Sequence, residues 1–495
     1  MKKRKTKSMG EMHSTAKIVA SALSKKWQTL AISTLILVMV LVGLLNVHSR
    51  SQAVHAASGD WPTYMDDNGR HGFNSAETII NPTSASNLKV HWTAPAGGGI
   101  FSQPAVVNGM VYWGSLDGYE HASTLNGTQV WQQYLGRVTQ CSPLPSLGVV
   151  SSATVATETI NGIPTSVVFV AGGDDHLYAL NASTGSIIWH TAVGNPASNT
   201  FMWDSPLVSN NSVYIGIATD GEPNCALIPA QFVQMDVATG TIQHTFNTIP
   251  NGCLGGGIWS SPTLDSSDNS IYFTTGTQGS FHTCKEPYAI AIVKLRASDL
   301  SFVDSWQIPV ADRGADSDFG ATPTLFNATI AGTQHKLVGA VNKNGIYYAW
   351  DRTALHNGPM WTANVAIAGD CPQCGAGSIS SSAWNGSALF EATTKTTING
   401  ITCKASLRAL NPANGAFIWQ RCLKDGPVLG AVTIVPGVAA VVEGPNLVLI
   451  STVTGKILFN ALSAGIPSHF YGAPSISNGV LYVGSTSNQL YALGL

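Results

Sequence analysis

The stretch from Ser151 to Trp189 reads SSATVATETINGIPTSVVFVAGGDDHLYALNASTGSIIW and decides the fold class. It contains short runs of alternating apolar and polar residues, separated by Gly, Asn and Asp. Alternation with a period of two predicts strands, and the separating residues favour tight turns. The last turn is Thr184–Gly185, and an aromatic residue, Trp189, stands four residues after its glycine. We therefore interpret the stretch as one four-stranded antiparallel sheet.

The same pattern recurs along the whole chain. Each copy opens with small residues, often followed by Pro, and most copies close with a Gly-containing turn and an aromatic residue. The copies open at Ser102, Ser151, Asp204, Ser260, Ala321, Ser381, Gly430 and Gly472. Their spacing of roughly 40 to 60 residues is the period of propeller blades rather than of helical solenoids. One blade cannot bury both of its faces, so we predict that the copies stack radially and that the closing aromatics fill the gaps.

The last copy is short, and this predicts how the ring closes. Residues 473–495 are enough for about three strands of ordinary length. We predict that the missing strand is Asn87–Thr93, with Trp92 as its aromatic residue, and that it pairs with the C-terminal run Leu490–Leu493. The predicted fold is therefore all-β, an eight-bladed β-propeller of four-stranded blades. Seven blades would follow if the degenerate copy near Gly430 were not a blade.

The composition agrees with a single turn-rich domain. Hydrophobic residues make up 44% of the chain, glycine occupies 50 positions, and charged residues make up only 11%. That hydrophobic fraction excludes a disordered chain. The net charge of −2 gives no reason to expect a nucleic-acid partner. We therefore assign residues 57–495 to one propeller domain.

Residues 1–56 differ in composition and predict export. A basic stretch ends at Trp27, and Leu30–Val47 follows as an uninterrupted run of uncharged, mostly apolar residues. Such a run predicts a hydrophobic helix just long enough to span a bilayer, with its basic flank in the cytoplasm. Val54-His55-Ala56 suits cleavage by a signal peptidase after Ala56. A cleaved signal peptide and an uncleaved membrane anchor both remain open, and both place the propeller outside the cell or at its surface.

All 8 cysteines follow this segment, and an exported chain favours disulfides. Cys403 and Cys422 flank the Asn414-Gly415 turn almost symmetrically, so we predict that they face each other across a hairpin. Cys225 and Cys253 flank another Thr-Gly turn in the same way and are predicted to pair. The sequence leaves the other four open: Cys371 pairs with Cys374, or both pair with Cys141 and Cys284.

The repeat core resembles that of a known family. Tyr178–Trp189, with the sequence Tyr-Ala-Leu-Asn-Ala-Ser-Thr-Gly-Ser-Ile-Ile-Trp, is similar to the repeat of pyrroloquinoline quinone (PQQ) propellers. Asp60–Tyr64, followed by Asn68-Gly69-Arg70 and Phe73-Asn74, resembles the start of the polyvinyl-alcohol-dehydrogenase-like branch. The resemblance covers nearly everything from Trp61 onward and implies the propeller fold. For function it implies either a quinoprotein dehydrogenase or a non-catalytic scaffold, because the same repeat serves both.

Three segments resemble the catalytic members more closely, namely Gly255–Trp259, Asp316–Gly320 and Asn342–Tyr348. By this resemblance Trp259 forms the floor under the quinone, since a flat aromatic residue stacks well on a planar cofactor. Asp318 matches the catalytic carboxylate that takes the proton of the alcohol. Lys343 matches the cation that contacts the quinone oxygens. The alternatives are a blade-stacking Trp259, a turn-capping Asp318 and an exposed Lys343 beside an ordinary Asn-Gly turn.

The resemblance also implies a calcium ion, with Glu222, Thr277 and Asp318 as candidate ligands. Thr277 stands where an Asn is expected, and a hydroxyl is a weak substitute for a carbonyl or carboxylate oxygen. The adjacent cysteines that many alcohol dehydrogenases place over the cofactor are absent, since Ser142 follows Cys141. We therefore expect a weak calcium site.

Two functions follow as expectations. One is an extracytoplasmic PQQ-dependent dehydrogenase that oxidises a small alcohol, a polyol or a polymer. The other is a propeller without catalytic activity that binds a protein or a glycan on its loop face. In either case the membrane is a partner only if the N-terminal helix stays uncleaved.

Overall fold

The computed structural model describes residues 59–139, 146–219, 226–279, 284–313, 316–466 and 468–495. The predicted helix at Leu30–Val47, the cysteines Cys141 and Cys225, and Glu222 lie outside these ranges. Where the chain is described, none of its helices has the length and apolar character needed to cross a membrane. Helical structure in these ranges consists of 3-10 turns at Ala85–Asn87, Pro196–Ser198, Val310–Asp312, Leu355–Asn357 and Pro372–Cys374.

Eight four-stranded antiparallel sheets form the propeller, which confirms the predicted fold. The strands of blades 1 to 4 are Ala105–Val107, Met110–Gly114, Tyr119–Thr124 and Gln129–Tyr134; Thr154–Ile160, Ile163–Ala171, His176–Asn181 and Ile187–Ala192; Leu207–Ser209, Ser212–Gly216, Gln231–Asp236 and Ile242–Asn247; and Thr263–Asp265, Ser270–Thr274, Ala291–Arg296 and Phe302–Gln307. Those of blades 5 to 8 are Thr324–Ile330, Thr333–Val341, Ile346–Asp351 and Trp361–Asn364; Ala383–Trp384, Leu389–Thr393, Ala405–Leu410 and Phe417–Leu423; Thr433–Val435, Val438–Glu443, Asn446–Ser451 and Ile457–Asn460; and Ser475–Ser477, Val480–Gly484, Gln489–Gly494 and Lys89–Pro95.

Two short ribbons supplement the blades. Thr200–Phe201 pairs with Ala218–Thr219 at blade 3, and Thr396–Ile398 pairs with Ile401–Cys403 within blade 6.

The ring closes through both termini, as predicted. Lys89–Pro95 pairs antiparallel with Gln489–Gly494, and Trp92 lies opposite Ala492. The strand begins two residues later than the predicted Asn87, because Ala85–Asn87 forms a 3-10 turn. The copy near Gly430 builds a complete blade 7, which excludes the seven-bladed alternative.

The closing tryptophans fill the gaps between blades, also as predicted. The ring of Trp131 lies against Gly185 of the next blade, and its Nε1 donates to Ala182 O at 2.9 Å. A Cβ on Gly185 would lie 2.6 Å from the indole, so only glycine fits there. Trp92 packs on Gly127 in the same way across the closure of the ring. The contact recurs at Trp189, Trp361 and Trp419.

Residues 61–74, which we call the clasp, contact the first strand of every blade at one end of the axis. Following the blades from 1 to 8, the bonds join Trp61 to Val106, Pro62 to Val155, Asn68 to Val208 and to Leu264, Gly69 to Leu325, His71 to Trp384, Gly72 to Ile434, and Asn74 to Ile476. One continuous segment therefore ties all eight blades together.

A ring of hydroxyl groups links the blade openings around the axis. The backbone N–H of one opening residue donates to the side-chain hydroxyl of the next, over 2.8 to 2.9 Å. The residues in this ring are Gln103, Ser152, Ser205, Ser261, Thr322 and Ser381. This series of hydrogen bonds does not continue through blades 7 and 8, where Ala431 and Ala473 carry no hydroxyl. This explains why small hydroxyl residues recur where blades begin.

Three disulfides lie among the described residues. The Cys403–Cys422 disulfide is confirmed, with a Cα–Cα distance of 5.4 Å. The two residues do not face each other across the hairpin, because Cys422 lies opposite Ser406 and Cys403 belongs to the short ribbon before it. The predicted Cys225–Cys253 pair is wrong, because Cys253 bonds to Cys284. Strand pairing in blade 3 ends at Asn247, so Cys253 lies beyond the hairpin, in a turn that reaches the neighbouring blade 4. Of the alternatives left open, Cys371 pairs with Cys374.

Candidate active site

Loops between and within blades 3 to 6 bring the three predicted site residues into one cavity of about 230 Å³. Trp259 comes from the opening of blade 4, Asp318 from that of blade 5, and Lys343 from the Asn-Gly turn inside blade 5. Thr277 and Asp316 line the same cavity. Trp259 and Asp318 are 59 residues apart in the sequence, and Asp318 and Lys343 are 25 apart. They meet in space because the blades of a propeller direct their loops towards the same axis.

Lys343 is buried and carries two ion pairs. Its Nζ lies 2.7 Å from Asp316 Oδ2 and 3.1 Å from Asp318 Oδ2, and the side chain is only 9% exposed. The backbone N–H of Lys343 also donates to Asp318 O at 3.1 Å. Burial alone would lower the pKa of Lys343, but the charges of Asp318 and Asp316 outweigh it and raise the pKa above the ordinary value. The ammonium is therefore a permanent cation of the site, and the exposed-lysine alternative is wrong.

Asp318 is held at both carboxylate oxygens. Oδ2 accepts the bond from Lys343, and Oδ1 accepts from Thr277 Oγ1 at 2.7 Å. The neighbouring Asp316 has a raised pKa, first because of burial and then because of the charge of Asp318. Each oxygen of Asp318 keeps a second lone pair, so a substrate hydroxyl could still donate to it. The carboxylate is rigid and faces the cavity, as a general base requires.

Trp259 presents an aromatic surface to the cavity. A Cβ on Gly320 would lie 2.2 Å from its ring, so glycine is required at that position, and one on Gly276 would lie at a tight 3.0 Å from its Nε1. The Nζ of Lys343 lies 5.2 Å from the ring centroid. A flat apolar ring next to a buried cation suits a planar, anionic aromatic ligand.

Sequence reasoning assigned no role to several cavity residues. Asp316 is bonded to Lys343, and its place two residues before Asp318 was the signal available. Trp203 forms a second aromatic wall, anchored by its Nε1 bond to Thr219 O at 2.9 Å. Pro372 and Gln373 line the cavity from the loop closed by Cys371–Cys374, and no sequence pattern placed that loop here.

The described residues supply only part of the predicted calcium site. Calcium takes six to eight oxygen ligands. The side chains that line the cavity and carry oxygen are Thr219, Thr277, Asp316, Asp318, Asp370 and Gln373. Asp316 and Asp318 already bind the ammonium of Lys343, and the hydroxyl of Thr277 is bonded to Asp318. Glu222 lies outside the described residues, so its role as a ligand stays a prediction.

A family model described as "Outer membrane protein assembly factor BamB", a PQQ-repeat model, matches residues 126–379 and 404–494. The chain belongs to this PQQ-repeat propeller family. The matched residues include Trp259, Asp318 and Lys343. The resemblance inferred from the repeat core is therefore confirmed.

Curated relatives of this PQQ-repeat protein include dehydrogenases. It is 25% identical over 335 residues to a quinohemoprotein alcohol dehydrogenase of Comamonas testosteroni, covering 60% of this chain and 46% of the relative. It is 24% identical over 352 residues to a polyvinylalcohol dehydrogenase of Sphingopyxis sp. (strain 113P3), covering 62% and 50% respectively. The chain thus spans about half the length of these relatives.

Solved structures with the same fold include a methanol dehydrogenase and a BamB protein. A europium-containing methanol dehydrogenase superposes with a TM-score of 0.72 at 15% identity, covering 88% of this chain and 98% of that one. BamB from Moraxella catarrhalis superposes with a TM-score of 0.53 at 15% identity, covering 82% and 100%. At this identity the similarity shows the fold alone.

Proposed function

We propose that this protein is a PQQ-dependent dehydrogenase that oxidises an alcohol outside the cytoplasm. The observation that carries the proposal is the arrangement of Lys343, which bonds Asp318 at 3.1 Å and lies 5.2 Å from the centroid of Trp259 in one cavity. A base, a cation and a flat aromatic surface thus converge on one space. The dehydrogenase relatives support the same reaction class.

The residues present fit the cofactor. Trp259 would stack on the planar quinone, and Lys343 would bind its oxygens. Bound PQQ would supply an acceptor for the hydrogen and electron pair of the carbinol carbon. Asp318 would take the hydroxyl proton at one of its carboxylate oxygens. Thr277 and Lys343 would hold that carboxylate in place through the bonds they already make to it.

The purified protein should bind PQQ, with or without added Ca²⁺, and reduce a dye when an alcohol is supplied. Asp318→Asn should lower dye reduction by roughly 100-fold while keeping PQQ binding, because proton transfer contributes that much to such reactions. Lys343→Met should weaken PQQ binding itself, since it removes the cation. Quinone absorbance and dye reduction measure the two effects separately.

Lys294→Met is the matched control. Lys294 is likewise buried, pairs with Asp268 at 2.8 Å and lies 5.4 Å from the ring centroid of Tyr272, but it is away from the cavity. Its loss should leave PQQ binding unchanged in the folded protein. Absence of PQQ binding at tens of micromolar by the wild-type protein, far above the range typical of cofactor sites, would overturn the proposal.

A non-catalytic scaffold is the second candidate. The description of the matching family model, an outer membrane protein assembly factor, favours it. The partner would then be a protein or a glycan bound by the loop face. A protein that fails to bind PQQ but keeps its fold would support this candidate.

The extracytoplasmic location has its own support and its own test. All six cysteines of the described residues are in disulfides, as expected in an oxidising compartment. Mass spectrometry of the native protein should find its N-terminus at Ala57 if a signal peptide is removed, or at Met1 or Lys2 if the segment anchors the protein. Recovery of the native protein from the cytoplasm with free thiols at Cys403 and Cys422 would contradict export.

A further inference from the structure

A second and larger space adjoins the candidate active site. This chamber has a volume of about 750 Å³ and shares Trp203, Trp259, Gln373 and Ile379 with the smaller cavity. The size lies within the range of small-molecule sites. A ligand in the chamber would therefore be next to Asp318 and Lys343 without having to displace either of them.

The lining of the chamber is apolar and aromatic. Phe101 and Tyr471 stack with centroids 5.0 Å apart and an interplanar angle of 16°, across the junction of blades 1 and 8. Leu116, Ile379 and Leu429 add aliphatic surface. All five side chains are only half-buried. Apolar side chains left partly uncovered in a concave space are typical of ligand sites.

The chamber also lacks charge, unlike the cavity it adjoins. Among the described residues, no Asp, Glu, Lys, Arg or His lines it. Its polar groups are neutral: the hydroxyl ring, where Ser152, Ser205 and Ser261 each already accept a backbone N–H bond, and the side chains of Tyr64, Gln373, Tyr471 and Thr486. A polyol would exchange water hydrogen bonds on every hydroxyl for bonds to a limited set of neutral groups along a mostly apolar wall, which is unfavourable. An apolar carbon skeleton would instead gain from leaving water.

We infer that the chamber binds the carbon skeleton of the substrate, and that the substrate is a hydrophobic alcohol carrying an aromatic ring rather than a polyol or a polymer. This inference rests on the proposed function for the oxidation itself, but the binding does not depend on it. The ring would contact Phe101 and Tyr471, while the hydroxyl group would reach Asp318 in the adjoining cavity.

Binding can be measured without the cofactor. 2-Naphthalenemethanol is titrated into the full-length protein without PQQ, and the naphthalene emission is followed. We expect saturable binding in the micromolar range, as for a buried ring of this size, with no displacement by a large excess of glycerol. Phe101→Ala and Tyr471→Ala should each weaken the binding by about tenfold, because each removes one partner of the stack. Tyr471→Phe keeps the ring and should keep the affinity.

Phe302→Ala is the control, because Phe302 is a 46% exposed aromatic on the outer strand of blade 4 and its loss should have no effect. Leu429→Trp fills the chamber instead of emptying it and should also abolish binding.

Non-saturable binding, or binding unchanged in both the Phe101→Ala and the Leu429→Trp variants, overturns the inference. Saturable binding without dye reduction would refute the dehydrogenase alone. Dye reduction with glycerol as efficient as with 2-naphthalenemethanol would refute the chamber inference alone.

Discussion

At the residue scale, buried charges in this propeller depend on whether they have a partner. Lys343 stays an ammonium because two carboxylates contact it. Glu443, in the second strand of blade 7, is 2% exposed and accepts the backbone N–H of Asp425 at 3.0 Å, the backbone N–H of Lys424 and a longer bond from Asn446. Burial raises the pKa of Glu443 to about 7. The two residues therefore respond to pH in different ways.

Glu443 should make the protein less stable as pH rises. The native state holds its proton more tightly than the unfolded chain, so stability falls as pH rises from about 4.5 to about 7 and the loss is complete above that. Glu443→Gln should remove this loss, with a gain on the order of 3 kcal/mol at pH 8 and little gain at pH 4. Urea midpoints of both proteins at the two pH values measure it.

Asp351 serves as a control, because its pKa is shifted in the opposite direction to that of Glu443. Burial would raise its pKa, but hydrogen bonds from His335 and Thr353 outweigh burial and lower it. Its contribution is therefore present above the unfolded pKa and lost in acid, so Asp351→Asn should destabilise the protein at pH 8 more than at pH 3. A gain in Glu443→Gln that is the same at both pH values would contradict the assignment.

At the element scale, the Thr184–Gly185 turn both connects two strands of blade 2 and receives the tryptophan of the preceding blade. Gly185 has φ +71° and lies under Trp131, whereas Gly162 in the same blade has φ +81° and open space around it. An alanine at either position costs about 1–2 kcal/mol of backbone strain. At Gly185 it also displaces the indole, which adds roughly 1–3 kcal/mol of overpacking.

Gly185→Ala should therefore lower the thermal midpoint clearly more than Gly162→Ala does. The difference between the two variants measures blade docking, since the strain is common to both. Equal midpoints would mean that the tryptophan contributes little to the joint between blades.

At the scale of the whole molecule, stability depends on closing the ring. Gln489–Gly494 pairs with Lys89–Pro95 on one side and with Val480–Gly484 on the other. Deleting residues 489–495 would expose two strand edges, so we expect aggregation or a large loss of cooperativity in unfolding. Deleting Leu495 alone, which is 47% exposed, should change little. Size-exclusion chromatography and thermal melts compare the two. A monomeric, cooperative longer truncation would show that the clasp suffices to hold the ring.

The sequence by itself determined the number of blades, the strand that closes the ring, the closing tryptophans and the Cys403–Cys422 disulfide. These features are local or periodic: each depends on alternation within a strand, on a glycine turn, or on two cysteines close to each other along the chain on either side of one turn. The family resemblance also selected Trp259, Asp318 and Lys343, which the structure brings into one cavity. The same local logic failed at Cys253, because its partner Cys284 belongs to the neighbouring blade 4 and not to the same hairpin.

Only the tertiary structure decided the clasp, the partners of Lys343 and the apolar chamber. The clasp bonds to eight strands that are distant in sequence, and neither periodicity nor a turn motif encodes such contacts. Asp316 became a partner of Lys343 because the blade 5 opening folds over the Asn-Gly turn. The chamber is formed where Phe101 and Tyr471, 370 residues apart, meet at the closure of the ring (471 − 101). The radial packing of the blades brings these residues together, and the sequence of a single strand carries no information about such contacts.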